Sequence, residues 1–176
     1  MAVETRNAIA FILGVCAAAP ALAQSAERVA AHTDWSVFVA SDPKECYVVA
    51  PPKTSAAKRD GQPADVKRGD IRLFVTFRPG DNISNEVSFT GGYPFREGGP
   101  VTLSVGSDSF PLAPGGTDSS EWAWTDPSDD ARAVAAMRRG SSAKVAATSA
   151  RGTTTEDTFS LAGFTAAVED AEARCR

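Results

Sequence analysis

Turn-forming residues cut the chain between Trp35 and Leu161 into runs too short for most helices. Ser41-Asp42-Pro43-Lys44, Pro79-Gly80-Asp81-Asn82 and Gly106-Ser107-Asp108 separate stretches rich in valine, phenylalanine and threonine. Such punctuation favours β-hairpins over helical bundles. Strand-like runs are Trp35 to Ala40, Cys46 to Ala50, Asp70 to Phe77 and Glu86 to Phe89, then Val101 to Val105, Ser109 to Leu112, Glu121 to Trp124, Lys144 to Thr148 and Thr155 to Leu161. The expected fold is mainly β, an antiparallel β-sandwich or barrel-like body with two short α-helices.

The first helix signal is TDPSDDARAVAAMRRG. Asp126 can cap, Pro127 suits the first helical position, and Asp129 and Asp130 favour the amino end of the dipole. Arg138 and Arg139 favour the carboxyl end, and Gly140 terminates. The second helix is expected over Thr165 to Arg174, after the turn at Ala162-Gly163-Phe164.

The amino terminus has Arg6, an apolar run from Ala8 to Ala19, and Ala21-Leu22-Ala23. This is the layout of a secretory signal peptide, with cleavage expected after Ala23. The apolar run is too short for a spanning helix, so a membrane-spanning anchor is not expected. A lipidated Cys16 is the competing reading, but Val15 is a poor neighbour for it. Residues 24–34 are expected as a flexible lead-in and residues 35–176 as a single β-rich domain. The protein is accordingly expected to be periplasmic or secreted.

Cleavage leaves two cysteines, Cys46 and Cys175. In an exported chain such a pair is most simply one disulfide, closing a loop of about 130 residues and contributing ~4–5 kcal/mol by chain-entropy arguments. Free thiols with redox or metal roles are the competing reading; there is no C-x-x-C and no histidine near either cysteine.

The formal net charge of -4 argues against nucleic-acid binding. No catalytic residue, metal ligand or cofactor site is expected. His32 is the one histidine and falls in the lead-in, where a catalytic triad would lack rigid support. Asp126, Asp129 and Asp130 match helix capping, with no calcium-loop pattern. GGYPFREGGP (Gly91 to Pro100) lacks the phosphate-loop patterns and reads as a sheet corner in which Tyr93 and Phe95 pack and Arg96 is solvated.

Residues 51–69, PPKTSAAKRDGQPADVKRG, show no apolar periodicity and read as a long basic loop. Lys53, Lys58, Arg59, Lys67 and Arg68 form the candidate binding surface, set against Asp60 and Asp65, and could meet an anionic envelope surface. Arg68-Gly69-Asp70 also spells a tripeptide used by some adhesion ligands, or else a turn into the following strand.

NEVSFTGGYPF, AMRRG and above all SARGTTTEDTFSLAGFTAAVEDAEARC resemble the invasion associated locus B family of exported alphaproteobacterial proteins. The resemblance runs from Trp35 to Cys175. It implies a periplasmic or envelope-associated β-rich domain in a family named for involvement in host-cell invasion, and carries no catalytic residues over. The resulting expectation is a non-enzymatic binding or accessory protein whose partner is an envelope protein, a glycan or a lipid. A carboxylate-dependent envelope hydrolase is the alternative.

Overall fold

The computed structural model describes residues 26–115 and 120–176. The expected signal peptide over residues 1–23, with Cys16 inside it, lies outside the described residues. The strands, in chain order, are β1 (Glu27–His32), β2 (Trp35–Ser41), β3 (Lys44–Ala50), β4 (Thr54–Arg59), β5 (Gln62–Pro63), β6 (Arg72–Arg78), β7 (Ile83–Thr90), β8 (Val101–Val105), β9 (Asp108–Pro114), β10 (Trp122–Thr125), β11 (Ser142–Thr148) and β12 (Thr154–Ser160). The helices are α1 (Pro127–Arg139) and α2 (Phe164–Arg174). The strands join in one 12-stranded sheet, β1-β2-β3-β6-β7-β10-β9-β8-β11-β12-β4-β5. Every pairing is antiparallel. The fold is mainly β with two helices, as expected.

The sheet is not closed, since β1 and β5 remain at its edges. It nevertheless curls until its two halves face each other. Phe89 of β7 meets Phe159 of β12 edge to face at 6.2 Å, and the Trp35 indole N–H of β2 donates to the Ser160 carbonyl at 2.9 Å. The inward residues follow the two-residue period of a strand: Cys46, Val48 and Ala50 on β3, Leu73, Val75 and Phe77 on β6, Leu103 and Val105 on β8. On β12 the inward positions are Thr155, Asp157 and Phe159, all buried. One end of the interior is therefore polar and the other apolar.

Three strands are not the elements the sequence suggests. Glu27–His32, expected in a flexible lead-in, is β1 and pairs with β2. Residues 51–69, expected as a structureless loop, contain the β4–β5 hairpin, with β4 laid along β12 from Thr54↔Thr158 to Lys58↔Thr154. Neither β1 nor β4 has a buried residue. Their order comes from backbone pairing, which leaves no hydrophobic periodicity to read.

Helix α1 begins as its sequence requires. The Asp126 carboxylate accepts the Ser128 N–H at 2.9 Å, Pro127 opens the helix, and Arg138 and Arg139 occupy its last turn. Asp130 does more than favour the dipole. It is buried, accepts the Val87 N–H at 3.0 Å and takes the Thr125 hydroxyl. Strand β10 pairs with β7 only from Thr90 to Ser88, so the Asp130 carboxylate and the Thr125 hydroxyl satisfy Val87 just beyond the end of the ladder.

Helix α2 packs on β1, β2, β3 and β6, and α1 on β7 and β9. Gly163, in the left-handed region at φ 84°, starts α2. A Cβ there would stand 2.0 Å from the His32 carbonyl oxygen. The helix therefore sits against β1 only with glycine at this position. His32 Nε2 meets Asp170 of α2 at 3.1 Å. The Arg174 bond, followed by the His32 contact, holds the Asp170 carboxyl below its ordinary value.

Cys46 of β3 and Cys175, just past α2, form a disulfide with Cα atoms 5.8 Å apart across a separation of 129 residues. Cys175→Ser is expected to lower unfolding stability by about 2–5 kcal/mol, measured by denaturant titration under oxidising conditions. A second prediction concerns pH. Burial is the largest influence on Asp130 and raises its pKa above 3.8 despite the Thr125 and Val87 hydrogen bonds. A carboxyl raised on folding binds more protons in the native state, so its contribution to stability falls as pH rises from about 3.8 through the folded value. Asp130→Asn lacks this titration and should gain stability relative to the wild type as pH rises through that window.

Candidate binding sites

Of the five basic residues of residues 51–69, Arg59, Lys67 and Arg68 line a common cleft, while Lys53 and Lys58 do not line it. Lys53 reaches Asp34 at 2.5 Å. Arg59 donates to the Thr153 hydroxyl at 3.3 and 3.2 Å. Lys58 and Lys67 are exposed. Arg68 departs from the expectation: its side chain is 8% exposed and grips Asp157, itself 0% exposed, through two bonds of 2.7 and 2.6 Å. The third bond of that guanidinium goes from Nε to the Gly91 carbonyl at 2.9 Å, and its carbon stands 4.9 Å from the centre of the Tyr93 ring.

Bidentate pairing in a dry setting explains why Arg68 is inside. Asp157 points inward from β12 and would be a bare buried charge without it. Of the Arg68-Gly69-Asp70 tripeptide, the arginine is consequently turned into the fold, while the Asp70 side chain remains 85% exposed. Gly69 donates to the Gly92 carbonyl at 2.8 Å. Gly92 has φ +67°, and a Cβ on it would lie 2.6 Å from the Gly69 backbone. Glycine at position 92 is needed for the segments to lie this close.

A cleft of about 450 Å³ opens over this polar end. Its walls are the β4–β5 hairpin with Asp65 and Lys67, and the β11–β12 turn with Arg151; Glu121, Tyr93 and Thr155 also line it. The Tyr93 and Thr155 hydroxyls are 2.5 Å apart. Burial, partly offset by that hydrogen bond, raises the Tyr93 pKa. Phe95 packs in the core and Arg96 is exposed, as the sheet-corner reading expects.

A second feature lies on the outer face of the sheet. Phe38 of β2 stacks on Tyr47 of β3 with ring centres 5.1 Å apart and planes 6° apart. Tyr47 meets Phe74 of β6 at 5.9 Å, Phe74 meets Trp122 of β10 at 5.2 Å, and Trp122 meets Trp124 at 6.1 Å. Strand β7 stands between β6 and β10, but the rings meet across it because its outward residues there are the small Ser88 and Thr90. Both are buried despite facing outward.

Trp122 is the exposed large hydrophobic residue among those described, at 38%. The row floors a shallow groove of about 420 Å³, with Glu45, Thr76, Arg78 and Glu86 among its polar lining. Arg78 pairs with Glu86 at 3.1 Å. Burial, with a smaller contribution from Glu45, raises the Tyr47 phenol pKa.

This row was not a sequence-derived candidate, although a signal for it exists. In Trp122-Ala123-Trp124 the inward residue is Ala123, so the period of two puts both tryptophans outside. The same alternation sends Phe38, Tyr47 and Phe74 outward, opposite Val37, Cys46 and Leu73. Aromatics read individually as core hide the pattern; strand order and register are needed to align them.

Among the described residues no three His, Cys, Asp or Glu side chains gather where they could hold a metal ion. No described helix is long and apolar enough to cross a membrane. The family model of the invasion associated locus B (IalB) protein matches residues 62–172. The chain belongs to the IalB family. The IalB match runs from β5 into α2, taking in the cleft apart from Arg59, and Phe74, Trp122 and Trp124 of the aromatic row, but neither cysteine of the disulfide. No curated protein and no solved structure matches this IalB chain.

Removing one member of a buried ion pair leaves the other charged and unpartnered. Arg68→Ala is therefore expected to destabilise the fold by about 3–5 kcal/mol, whereas Lys67→Ala next to it should change stability by less than about 0.5 kcal/mol. Parallel denaturant titrations of the two variants check this.

Proposed function

We propose that this protein is a non-catalytic binding protein of the cell envelope that holds a glycan chain on the aromatic row. The observation that carries the reading is the run of five rings from Phe38 to Trp124, continuous across the outer face of the sheet and including the exposed Trp122. A soluble protein ordinarily places polar residues on that side of a sheet. Contiguous exposed apolar surface marks interaction sites.

A sugar ring has an apolar face and a hydroxyl edge. The rings offer the first a floor, and Glu45, Arg78, Glu86 and Thr76 offer hydrogen-bonding groups to the second. Lipid chains favour an enclosed apolar cavity, and this groove is open with charged borders. A stable protein interface takes roughly 20–30 residues a side, far more than the nine that line the groove. The envelope setting draws on the export-like amino terminus and on a disulfide, which persists in oxidising compartments.

The test is co-sedimentation with purified peptidoglycan sacculi, together with electrophoretic retardation in gels containing soluble polysaccharides. Trp122→Ala should weaken retention about tenfold, a loss of ~1.4 kcal/mol, with unchanged thermal stability. Tryptophan emission of the wild type should shift on binding. Equal retention of wild type and variant, or no retention on any glycan, overturns the proposal.

A further inference from the structure

The cleft at the polar end is a separate feature that shares no lining residue with the groove of the aromatic row, and it has its own chemistry. The chain as a whole is acidic, with a formal net charge of -4. Inside the cleft the balance is reversed. Arg59, Lys67 and Arg151 line it, and none has a carboxylate partner among the described residues. Asp65 and Glu121 are the opposing carboxylates in the lining. Arg68 is also there, but Asp157 neutralises it from below.

The cations are held on rigid supports. Arg59 closes β4, a strand laddered to β12, and is anchored on the Thr153 hydroxyl. Arg151 sits in a turn fixed by the Gly152 N–H on the Ser149 carbonyl at 2.8 Å and by the Ala150 N–H on the Pro94 carbonyl at 2.9 Å. The hydroxyls of Tyr93 and Thr155 satisfy each other at 2.5 Å in the cleft lining. Protein walls around unpaired cations concentrate their field where water is partly excluded.

We propose that this cleft binds a small anion bearing a phosphate or carboxylate group, with Arg59, Lys67 and Arg151 as its ligands. Two guanidiniums offer forked donors suited to either oxyanion, and Lys67 adds a point charge. Asp65 and Glu121 restrict the site to compact anions, because an extended polyanion would run against one of them. The hairpin carrying Arg59 is thereby given a purpose beyond its place at the sheet edge.

The experiment is an NMR titration of the isotope-labelled mature protein with inorganic phosphate and, separately, with glutarate, following backbone amides and arginine side-chain N–H signals. Saturable shifts confined to Arg59, Lys67, Gly92 and Arg151 and weakening with added salt are expected from at least one probe. The better probe identifies the oxyanion. The Lys67→Ala, Arg151→Ala double variant should weaken its binding about tenfold or more with an unchanged melting temperature, because neither residue carries an ion pair among the described residues. Trp122→Ala should leave the titration as it is, which separates this site from the glycan face. No saturable response to either probe, shifts scattered over surface lysines, or equal affinity in the double variant would overturn the assignment.

Discussion

Asp157 is a carboxylate with no exposure, placed on the inward side of a strand whose next inward residue is Phe159. A charge in that position is tolerable only if a cation meets it inside the protein. Arg68 does so from the segment that enters β6, on the opposite half of the curled sheet. Much of the architecture around the polar end follows from this meeting. The approach of Gly69 to Gly92, the bond from Arg68 to the Gly91 carbonyl and the stacking on Tyr93 fix the guanidinium on the β6–β7 side, and the Tyr93 hydroxyl joins the ion pair in crossing to β12 at Thr155. The cleft is the space above the pair, so an interaction that is purely internal also determines where the accessible cations stand.

The opposite end of the interior is held by different forces. Phe159, Trp35 and Phe164 are fully buried, with Trp35 and Phe164 edge to face at 4.8 Å. Aromatic packing of this kind favours specific geometries but has no electrostatic alternative to guard against. Interior strands and α2 converge on it, and the disulfide lies at the same helix. The molecule thus has an apolar end that supplies cohesion and a polar end where side chains remain available for ligands.

How much of this was legible in the sequence depended on whether burial leaves a pattern. The runs around Val48, Val75 and Leu103 alternate because one face of each strand is in the core, and the turns between them were readable from glycine, proline and aspartate. The capped start of α1 was readable for the same local reasons. Strands β1 and β4 were not, since ERVAAH and TSAAKR place nothing in the core and owe their order to a partner strand remote in sequence. Arg68 looked like its neighbour Lys67, and nothing local distinguishes them; the difference is a carboxylate 89 positions away. The aromatic row was half legible, as outward positions strand by strand, but its continuity depends on which strands are neighbours. The pairing of the two remaining cysteines, by contrast, followed from their number and the expected compartment.

The position of β4 has a further consequence, for the order in which the chain can acquire its structure. Residues Thr54 to Lys58 complete their ladder on Thr154 to Thr158, and Cys46 waits for Cys175. Contacts so remote along the chain impose their loop-closure cost before they return any stability. An amino-terminal portion ending before β12 has an orphaned hairpin, an Arg68 with no Asp157 and a half-covered interior. The fold therefore checks its own completeness: a prematurely terminated chain cannot settle into a smaller version of the same structure, and its exposed strand edge and unpaired guanidinium would mark it as unfinished.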